Sequence, residues 1–329
     1  MIYRKLGRTD INVSALSFGL WQLGDSKYWG ERMTGAAAIR AAVDAGVNLF
    51  DTAESYGDGE SERNFGKIIG ADRDKILIAT KIAPDHCGQG DVRRTCEASL
   101  ARLNTDRIDL YQIHWPNHDV AFSETYAELG KLKDEGKIRA IGVSNFGIRD
   151  LEDWLSEGEA VSNQLSYNLL FRGIEKDVLP ACKRHDVGVL TYSPLMQGIL
   201  TGRWNTADEI PAPRRRTRHF SGNRESVKHG EQGHEEVTMT TVTRLKSLSE
   251  ESQIPMSDMA TAWILAQPGI TSVIIGSTDP EQVYRSVHAA TVELPDDIKA
   301  KINQITRPLM EALGPNLDMW ANQENSRIR

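Results

Sequence analysis

Asp51, Tyr56, Lys81 and His114 are residue types that carry or exchange charge, and each stands at or just beyond the end of a short apolar run. A phenol with an ordinary pKa of about 10 is a poor acid at neutral pH unless a nearby cation stabilises its phenolate. Lys81 can supply that cation and Asp51 can hold the ammonium in place, while a neutral His114 can orient a carbonyl oxygen. Together they suit protonation of an alkoxide as hydride reaches a carbonyl carbon, which is general acid catalysis.

Each of these residues also has an ordinary structural explanation. Asp51 can cap a helix, and Tyr56 can be a packed aromatic residue of a loop. Lys81 can be a solvated charge, and His114 can be a hydrogen-bonded core histidine. Lys81 has a second chemical interpretation as well, because a lysine in a barrel can form a Schiff base in a lyase or aldolase. Only the combination, at the ends of neighbouring strands, favours acid catalysis.

A metal site and a Rossmann-type dinucleotide site are not expected. His114 and His118 have the spacing of two ligands on a helix, but Pro116 between them breaks that geometry. The segment Gly57–Glu62 reads GDGESE and lacks the last glycine of the GxGxxG pattern.

Composition narrows the class of protein and of partner. The 329 residues carry a formal net charge of −7, which does not predict a surface that attracts nucleic acid or anionic lipid. The three cysteines, Cys87, Cys96 and Cys182, form no CxxC pair, which favours a reducing compartment. No N-terminal apolar segment and no run long enough to span a bilayer is present. We therefore expect a cytoplasmic protein that acts on a small molecule, with its oligomeric state left open.

Short apolar runs alternate with longer stretches of helical spacing along most of the chain. The predicted strands are Ala15–Gly19, Asn48–Asp51, Ile76–Lys81, Ile108–His114, Ala140–Ser144, Val161–Leu165, Gly188–Ser193 and Ser272–Gly276. The predicted helices are Thr34–Asp44, Ser61–Ile69, Val92–Leu103, Phe122–Glu135, Ile148–Leu155, Glu175–His185, Glu236–Ser252 and Pro280–Ala290. Eight such units close a parallel barrel, so the pattern predicts an α/β protein with a (β/α)₈ TIM barrel rather than a doubly wound sheet.

Three segments outside this alternation complete a predicted single domain over residues 1–329. Tyr3–Leu16 contains a Gly-Arg-Thr-Asp turn and predicts a hairpin that caps the N-terminal face of the barrel. Residues 203–236 form a long loop after strand seven and include the basic run Arg214–Arg218. We expect this loop and the C-terminal tail, residues 307–329, to lie over or near the catalytic face, where the basic run is either solvated or placed to bind an anion.

The chain resembles the aldo-keto reductase superfamily over most of its length. The matching segments are DTAESYG (Asp51–Gly57), IATK (Ile78–Lys81), YQIHWP (Tyr111–Pro116), IGVSNF (Ile141–Phe146), SNQLSYN (Ser162–Asn168), TYSPLMQGILTGR (Thr191–Arg203) and VIIGSTDPEQV (Val273–Val283). The resemblance implies that Asp51, Tyr56, Lys81 and His114 are a catalytic tetrad, with Tyr56 as general acid in reduction and general base in oxidation.

The resemblance also implies a nicotinamide cofactor and its contacts. Ser144, Asn145 and Gln164 would hydrogen-bond the carboxamide, and Tyr192 would stack on the ring. The stretch around the pyrophosphate and ribose would include Ser193, Leu195, Gln197, Gly198 and Arg203, and the adenosine end would include Gly276, Ser277, Thr278 and Gln282. Trp21 and Trp115 would line the substrate pocket, although Trp115 is equally well explained as a buried structural aromatic.

One departure from the family pattern bears on the choice of cofactor. Relatives often place a cation after strand eight to bind the 2′-phosphate of NADP, and here Gly276–Asp279 has none. Asp279 would repel a phosphate that it faced, whereas Arg285 can supply charge from another position. NADP(H) is the expectation from the family, with NAD(H) as the alternative.

The expected activity is that of an NAD(P)(H)-dependent oxidoreductase that reduces an aldehyde or ketone, or oxidises a sugar or alcohol. The same resemblance covers regulatory β-subunits of channels that bind the cofactor as a signal, so a cofactor-sensing protein is the alternative. The sequence does not specify the substrate, because the loops that build the pocket set it.

Overall fold

The structure, a computed structural model, describes residues 1–24 and 35–329. It begins with an antiparallel hairpin of β1 (Tyr3–Lys5) and β2 (Asn12–Ser14), in which Arg4 pairs with Val13. The chain turns between them at Gly7, whose φ is +51° and where a Cβ would lie 2.4 Å from the carbonyl oxygen of Val161. Only glycine fits so close to the barrel backbone. The predicted N-terminal hairpin is confirmed.

Eight parallel strands follow and close into a barrel in the order in which they occur along the chain. They are β3 (Leu16–Gly19), β4 (Leu49–Asp51), β5 (Leu77–Ile82), β6 (Ile108–Ile113), β7 (Ile138–Ser144), β8 (Ser162–Ser166), β9 (Gly188–Tyr192) and β10 (Ile270–Ile275). Pairing of Val273 in β10 with Leu16 in β3 closes the ring. The predicted (β/α)₈ barrel is confirmed, with strand bounds within two residues of the expected ones.

Helices connect the strands and cover the barrel. In the described part of the chain they are α1 (Gly35–Asp44), α2 (Glu60–Ile69), α3 (Asp91–Leu103), α4 (Phe122–Asp134), α5 (Ile148–Glu157), α6 (Val178–Arg184), α7 (Glu235–Ser252), α8 (Met256–Leu265), α9 (Pro280–Ala289) and α10 (Asp296–Leu313). Thr34, the first residue of the first predicted helix, lies outside the described residues.

Two of these helices were not predicted. Helix α8 is buried almost all round, so its sequence lacks the polar face that marks a surface helix. Helix α10 takes up the first part of the predicted C-terminal tail, residues 307–329, because it continues to Leu313 through Pro308. Its apolar residues at 298, 302, 305, 309 and 313 bury one face, and this packing outweighs the lost hydrogen bond at the proline.

The N-terminal face of the barrel is closed by apolar side chains of the hairpin. Leu6, Ile11 and Val13 are buried and pack against residues that begin the strands. Their partners are Leu49, Ala79, Leu110, Ala140, Val161, Leu190 and Ile274. Each fully buried aliphatic side chain contributes about 1.5–3 kcal/mol relative to exposure. A ligand therefore reaches the barrel from the opposite face, where the strands end.

Candidate active site

Tyr56 is held at the catalytic face by a tightly turned loop after β4. Its N–H donates to the carbonyl of Ala53 at 3.1 Å, and its own carbonyl accepts from the N–H of Ser61 at 3.2 Å. Gly57 follows with a φ of +61°, and a Cβ there would lie 1.8 Å from the carbonyl oxygen of Gly24. Both the positive φ and the close approach to the carbonyl oxygen of Gly24 require glycine at this position.

Lys81 extends from β5 into the end of the barrel and is fully buried. Its Nζ donates to Asp51 Oδ2 at 2.6 Å, to the carbonyl of Thr52 at 2.8 Å and to Tyr56 Oη at 3.3 Å. Burial acts to lower the pKa of Lys81, but the charges of Asp51 and Tyr56 outweigh it and raise the pKa above its ordinary value. Lys81 is therefore an ammonium whose three N–H groups are all engaged.

The second carboxylate oxygen of Asp51 is also engaged. Oδ1 accepts from Gln164 Nε2 at 2.7 Å and from Gln112 Nε2 at 3.3 Å. Gln164 was expected to contact a nicotinamide carboxamide, and in the structure its amide nitrogen donates to Asp51. Gln112 was not predicted, although a signal exists: it is a buried polar residue of β6, two positions before His114, and residues two apart along a strand share a face.

The phenol and the imidazole lie side by side. Their ring centroids are 5.7 Å apart with an interplanar angle of 78°, and His114 Nδ1 is 3.2 Å from Ser55 Oγ. Burial raises the pKa of Tyr56 above 10, and the charge of Lys81 offsets part of that rise. Burial, then the charges of Lys81 and Arg327, hold the pKa of His114 well below 6.5. At neutral pH the tyrosine is a protonated phenol and the histidine is uncharged.

Asn145 connects the histidine to the end of β9. Its Nδ2 donates to the carbonyl of His114 at 3.0 Å and to Ser144 Oγ at 3.1 Å, and its Oδ1 accepts from Tyr192 Oη at 2.8 Å. Ser144 Oγ in turn donates to the carbonyl of Gln164 at 3.0 Å. The residues expected at a nicotinamide ring thus form one hydrogen-bonded group beside the tyrosine and histidine.

The turn after β9 brings two guanidinium groups together. Ser193, Leu195, Gln197 and Gly198 belong to this turn, with a φ of +56° at Ser193, +55° at Gln197 and +93° at Gly198. A Cβ on Gly198 would lie 2.8 Å from Arg203 Nη2 and 3.0 Å from Arg214 Nη1. Burial, then the charge of Arg203, lowers the pKa of Arg214. Two such cations on a glycine turn fit a doubly charged pyrophosphate.

The segment expected at the adenosine end follows β10. Ser277 Oγ donates to Gln282 Oε1 at 3.1 Å, and Gln22 Nε2 donates to the carbonyl of Ser277 at 3.1 Å. Gly276 is exposed and Thr278 is half-buried. Asp279 caps α9, since its Oδ1 accepts from the N–H of Glu281. Arg285 is exposed and lies 3.8 Å from Glu281, so this end holds little positive charge.

Aromatic side chains surround the tyrosine and histidine. The Trp21 ring lies 6.5 Å from that of Tyr56. Trp115 contacts the C-terminal tail, because the Trp320 ring is 6.0 Å away and Arg327 Cζ is 3.4 Å from its ring centroid. Trp320 also lies 6.2 Å from the Tyr192 ring with an interplanar angle of 10°. Nothing in the local sequence of the tail indicates that Arg327 reaches this position.

The other reactive groups that the sequence singled out are the pair of His114 with His118 and the three cysteines. No group of three or more His, Cys, Asp or Glu side chains among residues 1–24 and 35–329 is placed to hold a metal ion. His118, the second half of the weighed metal pair, has its Nε2 at 2.7 Å from Asp150 Oδ1. The three cysteines are buried and unpaired, and burial raises the pKa of each to about 12.

None of the helices within residues 1–24 and 35–329 has the length and apolar character needed to cross a membrane.

Comparison with known proteins agrees with this geometry. The chain is 33% identical over 316 residues to the NADH-specific methylglyoxal reductase of Escherichia coli, covering 88% of this chain and 94% of that one. It is 31% identical over 325 residues to a putative voltage-gated potassium channel subunit beta of Schizosaccharomyces pombe, covering 92% of each chain. A crystal structure of an aldo-keto reductase from Klebsiella pneumoniae in complex with NADPH superposes with a TM-score of 0.73 at 28% identity, covering 100% of this chain and 99% of that one.

The sequence pattern of the aldo/keto reductase family matches residues 15–307, which include every strand of the barrel as well as Asp51, Tyr56, Lys81 and His114. This chain belongs to the aldo/keto reductase family.

Proposed function

We propose that this chain reduces an aldehyde or ketone, and oxidises the corresponding alcohol, with Tyr56 as the group that gives or takes the proton. The observation that carries the proposal is the position of the Lys81 ammonium, which is buried between Asp51 and Tyr56 and donates to both. A cation at that position stabilises a phenolate, so it lowers the cost of proton transfer from a phenol that burial alone makes less acidic.

Each residue has one task in this account. Tyr56 places its O–H where a carbonyl oxygen gains negative charge, and transfers its proton to that oxygen. His114 is uncharged, so it can donate one hydrogen bond to the same oxygen without supplying a competing acidic proton. Asp51 holds Lys81 in position, and Gln112 and Gln164 hold Asp51. A reduced nicotinamide supplies the hydride when it is bound.

The residues after β7, β9 and β10 would hold that cofactor. Asn145 and Tyr192 lie beside the tyrosine and histidine, and Arg203 and Arg214 are suited to the pyrophosphate. NADP(H) is the proposed cofactor, as in the Klebsiella complex, with NAD(H) as the alternative suggested by the name of the E. coli relative. The positive charge around Asp279 and Arg285 is weak, and NAD(H) has no 2′-phosphate that needs such charge, so both cofactors are tested.

A cofactor-sensing role is the second candidate, and its support is the similarity to the putative channel subunit. The Schiff-base interpretation has less support, because a nucleophilic lysine must lose its proton and the pair with Asp51 raises the pKa of Lys81. Covalent trapping of a carbonyl substrate on Lys81 by borohydride would support the Schiff-base interpretation.

Steady-state oxidation of NADPH and of NADH, each with a panel of aldehydes, ketones and sugars that includes methylglyoxal, tests the proposal. We expect turnover that depends on both the cofactor and the carbonyl. Cofactor affinity is measured in parallel by quenching of protein fluorescence. Tight binding of a cofactor with no turnover on any substrate would favour the sensor instead.

The pH dependence of reduction should show a broad plateau. The active form needs Tyr56 protonated and His114 neutral, and it is lost as pH rises through the pKa of Tyr56 or falls through that of His114. Because the first pKa is raised above 10 and the second is held well below 6.5, kcat/KM for reduction should change little between pH 6.5 and 9. A decline centred near pH 7 or 8 in kcat/KM would contradict this assignment of the two groups.

A further inference from the structure

Ser55 and Tyr56 are neighbours in the loop after β4, and both lie beside the imidazole of His114. Ser55 Oγ is 3.2 Å from His114 Nδ1, and the ring centroids of Tyr56 and His114 are 5.7 Å apart. The tyrosine and the histidine act on the carbonyl oxygen in the proposed function, whereas the serine has no part in it. One loop therefore brings two hydroxyl groups to the same imidazole.

Contacts with the main chain hold both the loop and the histidine. The residue before the serine is Glu54, whose Oε1 accepts from the N–H of Ala83 at 2.6 Å. The N–H of His114 donates to the carbonyl of Ile82 at 3.0 Å, and its carbonyl accepts from Asn145 Nδ2 at 3.0 Å. The fold thus sets the distance between the serine hydroxyl and the imidazole before any substrate binds.

The position of one proton decides what His114 can do. A neutral imidazole carries its single N–H on either Nδ1 or Nε2, and burial keeps the ring neutral by holding the pKa of His114 well below 6.5. Nδ1 faces the serine, whereas Nε2 has no hydrogen-bond partner among residues 1–24 and 35–329. Nε2 is therefore the nitrogen left for a substrate, and it donates a hydrogen bond only if the proton is there.

The hydroxyl of Ser55 can select between the two tautomers, because a hydroxyl both donates and accepts. The serine is exposed, and its Oγ contacts no other hydrogen-bonding group in the part of the chain that the structure describes. No other acceptor there competes for the hydroxyl proton, so it is available to Nδ1. Donation to Nδ1 leaves the imidazole proton on Nε2. In the reverse arrangement a bare Nε2 would repel the lone pairs of a carbonyl oxygen.

We propose that Ser55 is a positioning residue, whose hydroxyl donates to Nδ1 of His114 and so holds the imidazole proton on Nε2, toward the carbonyl oxygen. The inference rests on the proposed function, in which His114 donates to that oxygen while Tyr56 protonates it. The Nε2–H group then stabilises the negative charge that develops as hydride arrives. Ser55 acts through the histidine and does not itself contact the substrate.

Nuclear magnetic resonance of the full chain labelled with nitrogen-15 histidine reads the tautomer directly, because protonated and bare ring nitrogens have well-separated shifts. Spectra are recorded at about pH 8, where the neutral imidazole dominates. The signal of His114 is identified by its loss in His114→Gln. The wild-type protein should carry the proton on Nε2. Ser55→Ala should give a mixture of both tautomers, and Ser55→Thr, which keeps a hydroxyl, should show the Nε2–H form again.

The same variants should differ in kcat. Ser55→Ala should lower kcat for carbonyl reduction by about 2- to 10-fold, the value of one neutral hydrogen bond. KM should change by less than about 2-fold, because the affected contact strengthens in the transition state. Ser55→Thr should recover most of the lost rate. Ser156→Ala removes an exposed hydroxyl near the end of α5 and should keep the wild-type kcat.

The outcomes separate the inference from the proposal on which it rests. Mixed tautomers and a lower kcat in Ser55→Ala, both reversed in Ser55→Thr, support the inference. It is overturned by a wild-type spectrum with the proton on Nδ1, by an unchanged tautomer in Ser55→Ala, or by a wild-type kcat in that variant. Absence of turnover by the wild-type protein on every carbonyl compound overturns the proposed function instead, and the spectra still decide which tautomer Ser55 selects.

Discussion

Replacing Tyr56 with Phe should lower kcat for carbonyl reduction by about 100- to 10,000-fold, the usual contribution of a positioned general acid. The affinity for the cofactor should change little, because no described contact links the hydroxyl to the residues after β9 and β10. The change also leaves the Lys81 to Asp51 ion pair in place, so the free energy of unfolding should fall by no more than about 1–2 kcal/mol. Stopped-flow oxidation of the cofactor, fluorescence titration and thermal unfolding measure the three quantities.

Tyr3→Phe is the matched control for this change. It removes a phenol hydroxyl from the opposite face, where Tyr3 Oη donates to the carbonyl of Gly46 and the residue is half exposed. Turnover should remain at the wild-type level. Near-normal kcat in Tyr56→Phe would remove the tyrosine from the chemistry, whatever its position.

Replacing Lys81 with Met should have the second largest effect, on both stability and rate. The change leaves the buried Asp51 carboxylate without its cation, and breaking a buried pair from one side costs about 3–5 kcal/mol in the free energy of unfolding. It also removes the charge that favours the phenolate of Tyr56, so the pKa of Tyr56 should rise further and proton transfer should slow. Thermal unfolding and kcat for reduction measure the two effects.

The double variant Asp51→Asn/Lys81→Met separates the two effects. It removes both charges, so most of the lost stability should return, while reduction should remain at least about 100-fold slower than in the wild-type protein. Recovery of activity together with stability would mean that Lys81 acts only through folding.

The fold was predictable because the alternation of a strand with a helix is repeated along the chain. Eight apolar runs rich in β-branched residues gave the strands, since a strand buried on both faces needs no alternation. Helix α8 was missed for the complementary reason, as it is buried all round and shows no amphipathic period. Helix α10 was missed as well, because its second half, with Pro308, lies in a stretch that otherwise reads as a polar tail.

The site was predictable only in part. Lys81 lies within hydrogen-bonding distance of both Asp51 and Tyr56 because neighbouring strands end at one face, which the order of the strands already implied. Their catalytic roles stay predictions. Arg327 was not predictable, because its place beside Trp115 depends on the path of the tail. The contacts of Gln164 and Gln112 with Asp51 likewise depend on which side chains meet inside the barrel.

The most direct test of the role of Tyr56 is a single-turnover experiment that follows the product. The protein is loaded with reduced cofactor that carries deuterium at the transferable position and is mixed with an aldehyde that the steady-state panel shows to be turned over. The alcohol is quantified by mass spectrometry. The wild-type protein should give deuterated alcohol in proportion to the cofactor oxidised, and Tyr56→Phe, with its cofactor site saturated, should give almost none in the same time. Equal yields of deuterated alcohol from the two proteins would contradict the assignment of Tyr56.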